Sequence, residues 1–271
     1  MARIVARKRS VSVPRRWRHR SSVYLLLALA LGAGASAASP PHPSSGEAPQ
    51  LGAPAPERLT PVREYIRSAW KSLTRSHADL AAAVQDSKVP HEPGTPWVLY
   101  VSARESPVAV SAALAESLKP EQGAQIRVVQ LPERPRDHMA EIRPHGLLYL
   151  PYPYVVPGGR FNEMYGWDSY FIQVGLLRDG EVDLAKNMVD NCVYEIEHYG
   201  MILNANRSYY LTRSQPPLLT AMILGVFART HDLAWLARTY PAIESYYEYW
   251  MQPPHLVPGL GLSRYHGLGQ G

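Results

Sequence analysis

Fourteen consecutive residues, Pro157-Gly158-Gly159-Arg160-Phe161-Asn162-Glu163-Met164-Tyr165-Gly166-Trp167-Asp168-Ser169-Tyr170, hold three glycines, an arginine, two acids and four aromatics. A core helix or strand has no use for that mixture. Pro-Gly-Gly marks backbone that turns or lets a ligand approach closely, and the residues after it set flat apolar faces beside charged hydrogen-bonding groups. A pyranose needs both: aromatic rings take its C–H patches, while Arg, Asp, Asn and Gln take its hydroxyls in two-pronged fashion. A second segment, Asn204-Ala205-Asn206-Arg207-Ser208-Tyr209-Tyr210-Leu211-Thr212-Arg213-Ser214-Gln215-Pro216-Pro217, repeats the amides, arginines and paired tyrosines. In this reading Arg160 and Arg213 are forked donors, Asp168 is a two-oxygen acceptor, and Trp167 and Phe161 are platforms or walls. Glu163 has Arg160 and Arg207 as candidate ion-pair partners. Asn206-Arg207-Ser208 is formally a glycosylation sequon, read here as part of the binding loop.

Other chemistry finds little support. The single cysteine, Cys192, rules out an intramolecular disulfide and falls in an apolar helical pattern, as a small core residue would. No zinc-type Cys/His spacing appears, His198 and His266 lack partners, and no metal or cofactor is expected. Gly267, Gly269 and Gly271 follow no strand and open no helix, so they do not read as a phosphate loop.

The elements that must position the two segments read mainly helical. Val62, Tyr65, Ile66, Trp70 and Leu73 recur at helical spacing behind Thr60 as N-cap and Pro61 as first helical residue, predicting a helix to about Arg75. Between residues 90 and 135 the texture changes. Trp97–Val101 reads as a buried strand, Pro107 to Leu118 as an Ala-rich helix and Ile126–Leu131 as a second strand, a small β-α-β insertion. After the first segment, Leu184, Met188, Val189, Cys192, Val193 and Ile196 form one apolar stripe between the Asp179-Gly180 turn and Gly200. Pro216-Pro217 opens the next helix, striped by Leu218, Leu219, Met222, Ile223, Val226 and Phe227. Leu233 with Leu236, and Ile243 with Tyr246, Tyr247 and Trp250, predict two more. Helical hairpins joined by residue-rich loops outline a partial α/α toroid whose loops gather into a site.

Charge is localised. Of 28 basic side chains, eight lie in residues 1–20, which carry no acid; the remainder sets 20 basic against 23 acidic groups, no footprint for a phosphate backbone. Nucleic acid is therefore excluded as the expected partner. The basic stretch runs into Val23–Leu31, nine apolar residues, and then small residues with Ala35-Ser36-Ala37 as a cleavage signal. This predicts a signal peptide at residues 1–37, export to the periplasm or outside the cell, and no membrane span after cleavage. Residues 38–58, rich in Pro, Ala and Ser, read as a linker, with the folded part at 59–271.

The two segments resemble the signatures of the inverting α,α-trehalases. The first is similar to Pro-Gly-Gly-Arg-Phe-x-Glu-x-Tyr-x-Trp-Asp-x-Tyr at every fixed position from Pro157 to Tyr170, and the second to an Asn-rich loop ending in Arg-Ser-Gln-Pro-Pro at Arg213 to Pro217. The resemblance spans roughly Leu147 to Tyr265, with a looser fit at Val62 to Arg75. It implies a mainly α fold, part of an (α/α)6 barrel, and trehalose as the small-molecule partner. It also implies that Arg160, Trp167, Asp168, Asn204, Arg213 and Gln215 contact the glucose under attack; Phe161, Tyr165 and Ser214 complete the candidate set. Inverting hydrolysis needs a carboxylic acid and a carboxylate ~6.5–9.5 Å apart. In the family both follow the segments matched here, which implies a general acid and base beyond Gly271. No catalytic residue is therefore expected within this chain, which supplies binding loops and is expected to be inactive alone. A non-catalytic trehalose-binding pseudoenzyme, or another α/α-barrel glycosidase or phosphorylase, is the alternative.

Overall fold

Pro61 has no backbone N–H to lose, and the chain enters α1 (Val62–Leu73) directly behind it. In this computed structural model, which describes residues 60–269, Pro61 itself is the N-cap, and no side chain caps the helix, so Thr60 does not play that part. The segments read as signal peptide (1–37) and linker (38–58) lie outside the described residues. So does Gly271, the residue beyond which the acid and base are expected, and with it the last glycine of the 267–271 run. After Leu73 the chain extends into β1 (Thr74–Arg75), which pairs antiparallel with β5 (Tyr154–Val155) and so ties the end of α1 to the approach of the first candidate loop. A short helix α2 (Leu80–Ala83) follows.

Residues 97–130, within the stretch read as a β-α-β insertion, form two strands and two helices. β2 (Trp97–Val101), α3 (Pro107–Ala115), α4 (Pro120–Gly123) and β3 (Ile126–Gln130) run in order, with β2 and β3 parallel from Trp97↔Ile126 to Val101↔Gln130. Ser106 caps α3 by accepting the Ala109 N–H at 3.3 Å, with Pro107 at the first helical position. A third strand, β4 (Leu147–Leu148), joins the free edge of β2 in parallel. Gly146 allows this: a Cβ there would stand 2.2 Å from the Val98 carbonyl oxygen. The unit is less peripheral than an insertion suggests. Val98, Leu99, Val101 and Leu114 belong to one continuous core with Met188, Leu203 and Val226 of the helical part, because β4 leads straight from the sheet into the loop region.

Four long helices complete the description: α5 (Asp168–Asp179), α6 (Val182–Tyr199), α7 (Leu219–Thr230) and α8 (Leu233–Trp250), followed by the ribbon β6 (Leu256–Val257) and β7 (Leu262–Ser263). Gly180 and Gly200 end α5 and α6 at φ 86° and 79°, left-handed backbone that glycine adopts without strain. α6 packs against α5, α7 and α8, and α7 against α5 and α8, the stacking of helical hairpins. Gly175 lets α1 close on α5, since a Cβ there would meet the Trp70 ring at 3.0 Å; the Trp70 indole N–H donates to Asp179 at 2.7 Å beside it. One expectation needs correction: the residues read as two helices after Leu233 form the single helix α8, with Pro241 inside it. A mid-helix proline loses one bond and strains the preceding turn. Here the buried stripe Trp235, Thr239, Ala242, Tyr246 and Trp250 runs unbroken through that point and carries the helix across.

The fold is mainly α, a partial (α/α)6 toroid with the β-α-β unit. Apolar side chains remain exposed on its helices, among them Phe171 and Val174 on α5, Leu224 on α7 and Tyr247 on α8. None of the helices among the described residues is long and apolar enough to cross a membrane.

Candidate functional site

The two polar-aromatic segments, about forty residues apart in sequence, meet as a ladder. The Gly166 N–H donates to the Asn204 carbonyl at 3.2 Å, the Asn206 N–H to the Met164 carbonyl at 3.3 Å, and Tyr165 bridges Ala205 in antiparallel register. The second segment is itself folded back: the Asn204 N–H donates to the Arg213 carbonyl at 2.7 Å, and Leu203 bridges Ser214. One side chain locks the junction. Gln215 Oε1 accepts the Trp167 N–H at 2.6 Å. Gly166 is required where the strands cross, because a Cβ would lie 2.7 Å from the Leu203 carbonyl oxygen and 3.0 Å from Gln215 Oε1.

Beneath this ladder is a charged brace. Arg207, 1% exposed, donates from Nε to Glu163 Oε1 at 2.8 Å and from its terminal nitrogens to the carbonyls of Ala83, Val84 and Gln85 at 2.8 to 3.0 Å. It pairs the loops and satisfies the last carbonyl of α2 together with those of the two residues that follow it. Asp86 lies 3.7 Å from the same Nε and accepts the Tyr209 hydroxyl at 2.8 Å. Burial is what pushes the Tyr209 hydroxyl up, followed by that bond to Asp86, so it stays a donor. Asn206 is fully buried: its Oδ1 accepts the Met164 N–H at 2.9 Å and its Nδ2 donates to the Leu148 carbonyl at 2.9 Å. Both functions of the amide are used internally, which removes the sequon as a glycosylation site and gives Asn206 a holding role instead of a sugar contact. β1 braces the other side, where Arg75 donates to the Phe161 carbonyl at 3.0 Å and to Asn162 Oδ1 at 3.2 Å.

Of the candidate residues, Arg160, Trp167 and Arg213 are exposed, and Phe161, Tyr165, Asp168 and Asn204 are half-buried. The side chains of Arg160, Asp168, Asn204 and Arg213 make no hydrogen bond among the described residues. The Arg160 guanidinium lies 4.6 Å from the Phe161 ring centroid, and that ring meets Tyr165 edge-on at 5.3 Å. Burial, then Glu163, raises the Tyr165 hydroxyl well above its ordinary range, so it remains neutral. Asp168 is the first residue of α5. Ser214 differs from the others: it is fully buried, with its hydroxyl directed inward. Gln215 is also buried and has committed its oxygen to Trp167, leaving only its amide nitrogen as a donor. Sequence reading did not assign Arg75, Asp86 or the holding part of Asn206; the available signal was their polarity next to the motifs. A hollow of about 630 Å³ lined by Ser102, Arg136 and His198 lies apart from these candidates.

Stacked helical hairpins carrying two cross-linked aromatic-polar loops are the architecture of the α/α-toroid glycoside hydrolases. The chain belongs to the trehalase family, whose profile, described as Trehalase, matches residues 53–270 and so includes the β-α-β unit. Among its relatives, a cytosolic neutral trehalase of Emericella nidulans is 56% identical over 124 residues, 44% of this chain and 16% of that protein. One from Saccharomyces cerevisiae is 53% identical over 127 residues, 44% of this chain and 17% of that protein. The solved structure of a neutral trehalase from Saccharomyces cerevisiae superposes with a TM-score of 0.69 at 36% identity, over 78% of this chain and 43% of that one. The chain thus spans well under half the length of the proteins it matches.

These relatives correct one expectation. They are named cytosolic, which overturns the exported, periplasmic or secreted location and the signal peptide it rested on. The physical reason is the weakness of the signal: a basic run and nine apolar residues satisfy a rule of charge and hydropathy alone, whereas identity over 124 residues reports the detail of packed loops and core.

Proposed function

We propose that the described residues form the glucose-binding wall of a site for α,α-trehalose hydrolysis. The observation that carries this is the junction of the two loops, with the Trp167 N–H on Gln215 and Gly166 on Asn204. It joins the segment that carries Arg160, Trp167 and Asp168 to the segment that carries Asn204 and Arg213, and the polar side chains of these residues make no hydrogen bond among the described residues. Arg160 and Arg213 would fork onto adjacent ring hydroxyls, Asp168 would accept from two, and Trp167 and Phe161 would cover C–H faces. Tyr165 would add a neutral hydroxyl.

Binding, and not bond cleavage, is what these residues supply. Inversion needs an acid and a base across the sugar, and Glu163 cannot serve as one because it is fixed in the buried pair with Arg207. The chain alone is therefore expected to bind trehalose without releasing glucose. Titration calorimetry of the chain with trehalose tests this: measurable affinity that falls roughly tenfold or more in Asp168→Ala supports it. Equal affinity of wild type and variant, or binding of sucrose as strongly as trehalose, would contradict it.

A further inference from the structure

The second loop rests on α6, and at the point of contact α6 offers a carboxyl. Glu195 is 1% exposed, and its Oε2 accepts the Leu203 N–H at 3.1 Å. Leu203 is the residue that bridges Ser214, and the adjacent Asn204 holds both Arg213 and Gly166 through its backbone. One hydrogen bond thus lies under the register of both loops. The other oxygen, Oε1, has no partner among the described residues, nor do two further buried polar atoms, the Ser214 hydroxyl and the Trp250 indole nitrogen. No cation pairs with Glu195 among the described residues.

A buried acid with an unmatched oxygen lowers stability, and an apolar side chain of similar size would pack without that loss. The flanking stripe positions Cys192, Ile196 and Tyr199 are all buried and without formal charge. An acid in this position is explained by what it holds. We propose that Glu195 is the positioning residue of the second loop, fixing Leu203 and through it the stations of Asn204, Arg213 and Gln215. This rests on the reading of the two loops as a sugar site and extends it to what keeps the site assembled.

The carboxyl is also poised to respond to pH. Burial, opposed only by the Leu203 N–H, raises it to about 8. The titratable groups that face it are Cys192 and Tyr199 on α6 and Tyr246 on α8, all raised by burial and neutral over the same range. Residues 201–206 bring no ionisable side chain to it. Near neutral pH the group is a neutral acid; above about 8 it carries a charge that only entering water can solvate, and the loop above it should loosen.

The test uses the full chain as wild type, Glu195→Gln and Glu195→Met, read by amide hydrogen exchange and by trehalose affinity. Glu195→Met should expose the Leu203, Asn204 and Gly166 amides while the amides of α6 stay protected, and should weaken trehalose binding roughly tenfold, the scale of one or two neutral hydrogen bonds. Glu195→Gln keeps an acceptor for Leu203 and should restore both. Wild-type protection and affinity should fall as pH rises toward 8 and level off above it, and those of Glu195→Gln should not. If Glu195→Met does not fold, this pH comparison decides. Unchanged protection in Glu195→Met, or matching pH profiles in wild type and Glu195→Gln, overturns the proposal. Loss of protection in Glu195→Met when wild type has no affinity for trehalose would sink the sugar reading and leave the positioning role standing.

Discussion

The two loops divide the work unequally. The first, from Pro157 to Asp168, turns its chemistry outward, with Arg160 and Trp167 exposed and Asp168 half-buried. In the second, Ala205, Asn206, Arg207, Ser208 and Ser214 are all buried, and Arg213 stands exposed between half-buried Thr212 and buried Ser214. The display loop is held by the other's side chains: Asn206 on Met164, Arg207 on Glu163, Gln215 on Trp167. Precision at the proposed sugar site would come from this asymmetry. Long exposed arginines lose entropy when ordered, and a backbone fixed from below limits the loss to the side chains themselves.

If the division is real, substitutions in the holding set should change stability and those in the display set should change affinity. The largest effect belongs to Arg207. Arg207→Met leaves Glu163 buried without its partner and the carbonyls of Ala83, Val84 and Gln85 without a donor, and should cost about 3–5 kcal/mol in denaturant unfolding. The double variant with Glu163→Gln should recover part of that, and no recovery would mean the carbonyl bonds dominate. Next is a pH effect from Glu195. The fold keeps its proton up to about 8, while the unfolded chain releases it near 4.5. Stability should therefore fall as pH rises across that window, by at most roughly 1.4 kcal/mol per pH unit, and level off above it. Unfolding curves of Glu195→Gln should lack this slope.

On the display side, Asp168→Ala should cost about 1.5–3 kcal/mol of trehalose affinity, the worth of a hydrogen bond to a charged group, with little change in unfolding midpoint. A midpoint lowered as much as in Arg207→Met would erase the distinction between the loops. The smallest stability effect is expected of Trp167→Ala, within about 0.5 kcal/mol because the ring is 45% exposed, although sugar affinity should drop. Unchanged affinity there would take the ring out of the site.

What could be read in the sequence follows the same line. The display residues were legible because aromatics, arginine and acid crowded behind Pro-Gly-Gly have few structural uses, and Gly180 and Gly200 end their helices where glycine signals a stop. The holding residues were not. Arginine and asparagine are mostly exposed, so nothing local shows that Arg207 and Asn206 sit in the core; their partners Ala83, Val84 and Leu148 lie more than fifty residues away. Glu195 escapes notice because an apolar stripe is found by counting apolar residues, though it falls three after Cys192 and four before Tyr199. Pro241 misleads in the opposite sense, as a strong local breaker overruled by the packing of α8.

The central claim is that both loops form one wall around one glucose unit. Hydrogen exchange of the chain with and without saturating trehalose tests it most directly. Protection should rise together in residues 158–168 and 204–215 and leave α3 and β3 unchanged. Protection confined to one loop, or appearing only around Ser102 and His198, would contradict it.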